Sequence, residues 1–295
     1  MKNSKTPGAF NVLIQRAAQW LCRHRRTWPC NWLGRLSYLV WRAYENRNFD
    51  MQTNGEEWCL RQIGRDKLRA KCVFDVGANV GEWLLLCRQY IPEAVIHAFE
   101  IAPPIFGQLR QNVGDRPQIV LNPVGLSDRG GELDIFYTDS SDQLTTAYRE
   151  NFSEAFETSG AMRPVPQSIR ARVVCGDEYA REHGISMIDF LKIDVEGMEE
   201  SVLRGFSVMF KEHRIRLVQF EYNTTNIISK FMLRDACQFF TNFGYRVGKL
   251  YPTHVEFRDY HYRQEDFCGP NMIAVRKEDD ELLNLLANYH NIITG

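Results

Sequence analysis

Cys72-Val-Phe-Asp75-Val-Gly77-Ala78-Asn79-Val-Gly81-Glu-Trp-Leu-Leu-Leu-Cys-Arg-Gln89 leads, through Pro92, into Val95-Ile-His-Ala-Phe-Glu100. An apolar burst closes on Asp-x-Gly, and Gly81 opens a helical pattern over 82–89. A second apolar burst then ends in an acid. The order strand, tight turn, helix, strand is that of a nucleotide-binding βαβ unit.

The chemistry of that unit follows from side-chain size and charge. Gly77 and Gly81 have no side chain to hold a ligand off the backbone, and the helix that follows offers unpaired N–H groups at its start. Glu100 falls nineteen residues after Gly81, at the carboxyl end of the second strand, where an acid accepts hydrogen bonds from ribose hydroxyls. Asn79 stands where a dinucleotide fingerprint carries its middle glycine, which disfavours a pyrophosphate. Asp75 adds an anion that repels phosphate and suits the sulfonium of S-adenosylmethionine. The candidate cofactor positions in this stretch are therefore Asp75, Gly77, Ala78, Asn79, Gly81, Glu100 and its neighbour Ile101. The plainer alternative is an ordinary βαβ turn with no ligand, since such turns recur in α/β folds.

Working outward, Pro103-Pro104 opens a helix to about residue 111, and residues 118–131 read as a third strand and a turn. Residues 132–137 alternate as a further strand. Residues 138–170 turn to Ser, Thr, Asp, Gln and Pro without clear period apart from a short helix near 150–156, and are expected to form an insert that covers substrate. A short helix over 177–183 precedes the strand 187–194, then come a helix over 199–210 and a strand over 216–223. A helix over 232–242 and closing strands over 244–251 and 271–276 complete the pattern, with a terminal helix at 278–290. Strands alternating with helical crossovers predict a Rossmann-like, seven-stranded, mostly parallel sheet with helices on both faces and ligands at the carboxyl strand ends. The expected domains are a helical extension 1–70, the catalytic domain 71–277 and a C-terminal helix 278–295.

The composition is that of a globular chain: 295 residues, 44% hydrophobic, 25% charged. A net charge of −1 hides an uneven distribution, because residues 1–50 carry nine Lys and Arg against Glu45 and Asp50. This region also holds Trp20, Trp28, Trp32 and Trp41, with apolar residues at helical spacing over 9–21 and 33–44, broken at Pro29. Basic amphipathic helices with tryptophan can lie on an anionic membrane or bind nucleic acid. A helical cover packed on the main domain or on a second copy is the preferred expectation, because amphipathic helices usually bury their stripe in protein. The eight cysteines form no C-x-x-C and read as reduced, buried hydrophobes. No apolar run reaches the ~18 residues needed to span a bilayer, and arginines interrupt the only N-terminal apolar region, so a cytoplasmic protein, with peripheral membrane contact through residues 1–50 left open, is expected.

With the strand ends in view, the chain resembles the FkbM-type family of S-adenosylmethionine-dependent methyltransferases. The resemblance rests on Phe74-Asp-Val-Gly-Ala-Asn-Val-Gly81, Phe99-Glu100, Val124-Gly-Leu-Ser127-Asp128 and Leu191-Lys-Ile-Asp194-Val-Glu196-Gly-Met-Glu199, followed by Val202-Leu-Arg-Gly205. It implies a class I methyltransferase fold, adds Ser127 and Asp128 to the cofactor positions, and implies methylation of a hydroxyl, commonly on a sugar of a glycan, glycolipid or glycosylated natural product. An alcohol oxygen needs its proton withdrawn before it attacks a methyl group, which calls for a base or a metal. Asp194, Glu196 and Glu221 end strands facing one crevice and are the candidate catalytic residues. Either Asp194 or Glu196 serves as general base, or Asp194 and Glu221, with Asn223, hold Mg²⁺. The alternative for Asp194 and Glu196 is a structural acid at the start of the helix near Glu199. His254 and His261 are further candidate bases, and Tyr222, Tyr260 and Tyr262 are candidate sugar-stacking rings or core residues. Two other functions stay open: a nucleic-acid-modifying methyltransferase gripping phosphates through the basic extension, with no nucleic-acid signature in the acidic remainder, and a non-catalytic nucleotide-binding module.

Overall fold

Residues 72–100 fold as the sequence predicts, with β1 over Cys72–Val76, α4 over Glu82–Tyr90 and β2 over Val95–Phe99. Gly81 caps α4 at φ 92°, a left-handed conformation open to glycine, and a Cβ there would meet Leu109 at 2.7 Å. The structure is a computed structural model describing residues 9–65, 70–138, 145–152 and 165–287. By contact it divides into one unit ending at Glu45 and a second beginning at Asn46.

The first unit holds α1 (Ala9–Arg23) and α2 (Trp28–Tyr44). Pro29 lies in the first turn of α2, where its missing N–H has no partner to lose, so it starts this helix instead of breaking it.

The second unit is built on an eight-stranded sheet. β3 (Ile119–Asn122) pairs parallel with β2, and β2 with β1; β1 pairs parallel with β8 (Ile188–Ile193), and β8 with β9 (Ile215–Glu221). β12 (Asn271–Arg276), β10 (Tyr245–Tyr251) and β11 (His254–Phe257) extend the β9 edge antiparallel. This is the expected Rossmann-like sheet with one strand added. β11 lies between the two expected closing strands and is not legible in the sequence, because only Pro252 and Thr253 separate it from β10 and no turn glycine marks the hairpin.

Alternation along β1 sends Phe74 and Val76 to one face, against Phe99, Phe206 and Leu191, and Val73 to the other, against Leu84, Phe190 and Leu217. The second face is closed by α3 (Glu56–Arg65), through Cys59, Leu60 and Ile63, and by α11 (Asp280–Ala287), through Leu282, Leu283 and Leu286.

A separate four-stranded sheet has the order β4-β7-β5-β6, from β4 (Gly125–Ser127), β5 (Gly131–Tyr137), β6 (Thr145–Thr146) and β7 (Gln167–Cys175). The expected third strand is therefore two strands in two sheets, since β3 ends at Asn122 and Pro123 intervenes before β4. Residues 139–144 and 153–164 of the expected insert, and most of its short helix, lie outside the described residues.

The remaining helices are α5 (Pro103–Val113), α6 (Gly176–Glu182), α7 (Glu199–Gly205), α8 (Ser207–Lys211), α9 (Thr225–Ser229) and α10 (Leu233–Asn242). The single helix expected over 199–210 is thus a pair broken at Phe206, a fully buried ring.

Candidate active site

The carboxyl ends of β1, β2 and β8 open into one cleft. Its floor includes Val76, Gly77, Asn79, Phe99, Glu100 and Ile101. Asp194, Val195, Glu196 and Met198 form the side toward β8. The small sheet closes the cleft from the other side with Gly125, Leu126, Leu133, Ile135 and Val173, and Thr145 to Ala147 reach it from the insert.

Gly77 is required by its surroundings, because a Cβ there would fall 1.8 Å from the Asp194 carbonyl oxygen and its φ is 84°. The same close approach brings the nucleotide turn against the acidic strand end. Asn79 takes φ 48°, and its N–H donates to Glu100 Oε2 at 3.0 Å. The Ala102 N–H donates to Glu100 Oε1 at 2.8 Å. Two backbone donors thus fix the Glu100 carboxylate, and each oxygen keeps acceptor capacity for a ribose hydroxyl. Burial pushes the Glu100 carboxyl up to about 7, against the pull of those N–H groups.

Five sequence-predicted cofactor residues, Asp75, Ala78, Gly81, Ser127 and Asp128, do not line the cleft, and Gly81 serves instead as the cap of α4. Asp75 is fully buried and does not line the cleft. Strand alternation turns it to the face opposite Phe74 and Val76, where Lys192 Nζ lies 3.6 Å from its Oδ1. Burial raises its carboxyl to about 6, with Lys192 opposing. Ser127 is buried in β4 against the end of α7, where a Cβ on Gly205 would meet its carbonyl oxygen at 2.1 Å, and Asp128 is exposed beyond it. Gly125 and Leu126 of the same motif line the cleft in their place. Ala78 is buried and donates its N–H to the Phe99 carbonyl at 2.9 Å, so it builds the turn and leaves the cleft wall to Gly77 and Asn79.

The three candidate catalytic acids converge. One carboxylate oxygen each from Asp194, Glu196 and Glu221 lies within 4.8 Å of the others. Burial, followed by the neighbouring acids, pushes Glu196 up to about 8 and Glu221 well above the usual carboxylate range. Such a triad does not hold three negative charges at neutral pH without a cation. Lys192 supplies one cation at the Asp194 corner, at 3.0 Å from Oδ2. Burial opposes the Lys192 charge, but Asp194, Asp75 and Glu56 outweigh it and hold its pKa above the usual lysine range.

Glu196 has φ 52°, uncommon for a residue with a side chain. Its carbonyl oxygen is gripped by Thr146 Oγ1 at 2.8 Å and Asn151 Nδ2 at 3.0 Å, both from the described part of the insert. Neither acid caps the helix that begins at Glu199; Glu199 Oε1 instead holds the preceding loop by accepting from the Gly197 N–H at 3.1 Å, and the Asp194 and Glu196 residues line the cleft. Sequence reading missed Thr146 and Asn151, and no motif marks them.

Asn223 adjoins the triad: its side chain hydrogen-bonds the Glu221 carboxylate, while its oxygen accepts the Thr225 N–H at 2.6 Å. The remaining candidates stand apart. His254 stacks on Tyr251 in β10, at 5.2 Å between ring centroids, and His261 accepts from the Arg263 N–H at 3.3 Å. Tyr222 is buried, stacks on Phe267 and donates to Glu265, and Tyr260 donates to the same carboxylate at 3.0 Å, so these rings serve the core.

Residues 75–247 match the family model described as a methyltransferase FkbM domain. The chain belongs to the FkbM methyltransferase family. That family is one of S-adenosylmethionine-dependent enzymes, and the matched FkbM domain contains both the turn of β1 and the acidic end of β8. Among relatives, the 31-O-demethyl-FK506 methyltransferase FkbM of Streptomyces tacrolimicus is 31% identical over 165 residues, covering 50% of this chain and 64% of that one. The 2-O-methyltransferase NoeI of Sinorhizobium fredii is 28% identical, over 45% of this chain and 56% of that one. The hexuronic acid methyltransferase AglP of Haloferax volcanii is 27% identical, over 57% and 60%. The FkbM domain here thus spans under two thirds of the length of each of these relatives.

Proposed function

We propose that the chain is an S-adenosylmethionine-dependent O-methyltransferase whose acceptor is a hydroxyl of a sugar or sugar-bearing molecule. The observation that carries this reading is a single cleft lined at one end by Gly77, Asn79 and Glu100 and at the other by Asp194 and Glu196. The names of two relatives specify an oxygen-linked methyl group, and the name of a third a hexuronic acid.

S-adenosylmethionine supplies an electrophilic methyl group on a sulfonium sulfur, leaving as the neutral thioether. Glu100, held by the Asn79 and Ala102 N–H groups, accepts the ribose hydroxyls and so fixes the adenosine along β2. Gly77 lets the nucleotide turn pack directly on the Asp194 carbonyl, so a cofactor held over the turn would have its methyl group beside the acidic side of the cleft. Glu196, raised to about 8, takes the hydroxyl proton as the oxygen attacks, and burial with the neighbouring Asp194 and Glu199 keeps its basicity high. Asp194 stays anchored by Lys192 and helps orient the acceptor.

A second reading is favoured by the clustered oxygens of Asp194, Glu196 and Glu221, a hard donor set that suits Mg²⁺ and would acidify the hydroxyl directly. Titration calorimetry with S-adenosylmethionine against NAD tests the cofactor, and tight binding of NAD alone would reject the assignment. Incubation with uronic-acid and hexose acceptors, read by the mass of one added methylene, tests the acceptor class. Full turnover in excess EDTA selects Glu196 as base over the metal.

A further inference from the structure

We propose that the two-helix unit of residues 9–45 is a docking surface for an anionic lipid bilayer, with both helices lying in the plane of the headgroups. Of the twenty large apolar side chains left exposed among the described residues, thirteen fall in this short unit. Trp28 is 79% exposed and Phe10 74%, whereas in the sheet unit Trp83 is 3% exposed. Apolar area concentrated on a small element marks an interaction surface.

The pattern on each helix says what kind. In α1, Phe10, Leu13, Ile14 and Trp20 share one stripe, and Arg16 and Arg23 lie at its edge and on the polar side. In α2, Trp28, Trp32 and Leu39 share a stripe with Arg35 and Arg42 along one edge. Arg42 lies over the Tyr38 ring at 5.6 Å and Tyr38 stacks on Trp41, so the cationic group is held against the aromatic face. Residues 9–45 carry six arginines against Glu45 alone, two of them, Arg25 and Arg26, between the helices.

Charge complementarity then selects the occupant. Tryptophans that seat at the headgroup level, aliphatic side chains below them and arginines reaching up to phosphates are the elements of an interfacial helix. A nucleic acid would use the arginines but leave the aliphatic stripe in water. Helices of 15 and 17 residues fall short of the ~20 needed to span a bilayer. Among the described residues, no helix is long and apolar enough to cross a membrane. The unit therefore lies on the surface, each arginine adding attraction to anionic lipid.

The test is flotation of the full chain with phosphatidylcholine vesicles, with and without phosphatidylglycerol, alongside tryptophan fluorescence. Binding to anionic vesicles is expected with a blue-shifted emission, falling roughly tenfold or more on neutral vesicles or in high salt. The Trp28→Ser/Trp32→Ser and Arg25→Gln/Arg26→Gln variants should each reduce binding several-fold while circular dichroism and the thermal midpoint stay unchanged, which shows that the sheet unit is folded. Equal, salt-insensitive binding to both vesicle types would overturn the proposal. So would no binding to either, whether light scattering shows a dimer that the tryptophan variant dissolves, or a monomer whose Trp28 and Trp32 emission is already blue-shifted by packing on its own sheet unit. Capture of single-stranded RNA with no capture by anionic vesicles would overturn it as well.

Discussion

The unit of residues 9–45 and the sheet unit invert the usual placement of side chains in opposite directions. The first leaves tryptophans in solvent, while the second buries Asp75, Lys192, Glu100 and Glu199 at the carboxyl side of its central strands. Exposed aromatic surface and buried charge both oppose folding unless something else compensates. In the sheet unit the compensation is internal: Lys192 bridges Asp75 and Asp194, and backbone N–H groups hold Glu100 and Glu199. In the helical unit most of the aromatic and aliphatic area stays exposed despite ring contacts such as Tyr38 on Trp41, which is why an external partner is inferred there and a chemical site in the sheet.

The largest effect should come from the acid cluster. Glu196→Gln is expected to lower turnover by about 10²–10⁴-fold if the residue is the base, with S-adenosylmethionine affinity unchanged. A base works deprotonated, and burial beside Asp194 and Glu199 places the Glu196 midpoint near 8. Turnover should therefore rise with pH up to about 8 and then level, and the Gln variant should lose that rise. A variant with wild-type turnover would remove Glu196 from the mechanism.

Next in size is the buried bridge. Lys192→Met leaves Asp75 without its cation and should lower stability by on the order of 3–5 kcal/mol in urea unfolding. Adding Asp75→Asn should restore part of that loss, since the uncompensated charge is then gone. Equal midpoints for wild type and the single variant would mean that the buried charges do not depend on one another, which would break the contrast between the two units.

That bridge also shows where the sequence was legible and where it was not. β1, α4 and β2 were readable to within a residue because apolar bursts, turn glycines and a helical period coincide on one short stretch. The convergence of Asp194, Glu196 and Glu221 followed from their strand-end positions. Asp75 was placed in the ligand pocket from its position in the motif, although period two along Val73-Phe-Asp75-Val sends it to the face of Val73. The resemblance assigns Ser127 and Asp128 to the cofactor, and only the three-dimensional packing of Gly205 on Ser127 shows that this end of the strand lies away from the cleft, while Gly125 and Leu126 line it. β7 carries a visible alternation, Ile169, Ala171 and Val173 against Arg170 and Arg172, but it emerges from a Ser- and Pro-rich stretch that reads as loop. The grip of Thr146 and Asn151 on Glu196 spans 50 and 45 residues of sequence and has no local signal at all.

A smaller effect is expected at the cofactor end. Glu100→Ala should weaken S-adenosylmethionine binding by ~1–3 kcal/mol, about the value of a charge-assisted hydrogen bond to ribose. Calorimetry reads it directly, and an unchanged affinity would take Glu100 out of the site. Because its two oxygens also hold the Asn79 and Ala102 N–H groups, Glu100→Gln should lose less, as one acceptor oxygen survives.

The smallest effect should come from the most conspicuous residues. Trp32→Ala removes a large ring that is 56% exposed, so in the absence of lipid it should shift the unfolding midpoint of the sheet unit by less than the equivalent of ~0.5 kcal/mol. The same change at Trp83, packed edge-on against Phe190 at 5.4 Å and beneath Lys192, should cost about 3–5 kcal/mol. Identical chemistry removed from both positions isolates burial as the variable. If Trp32→Ala destabilised the sheet unit as much as Trp83→Ala does, the tryptophans of residues 9–45 would be part of that unit's own core, and the reason for seeking an external partner would disappear.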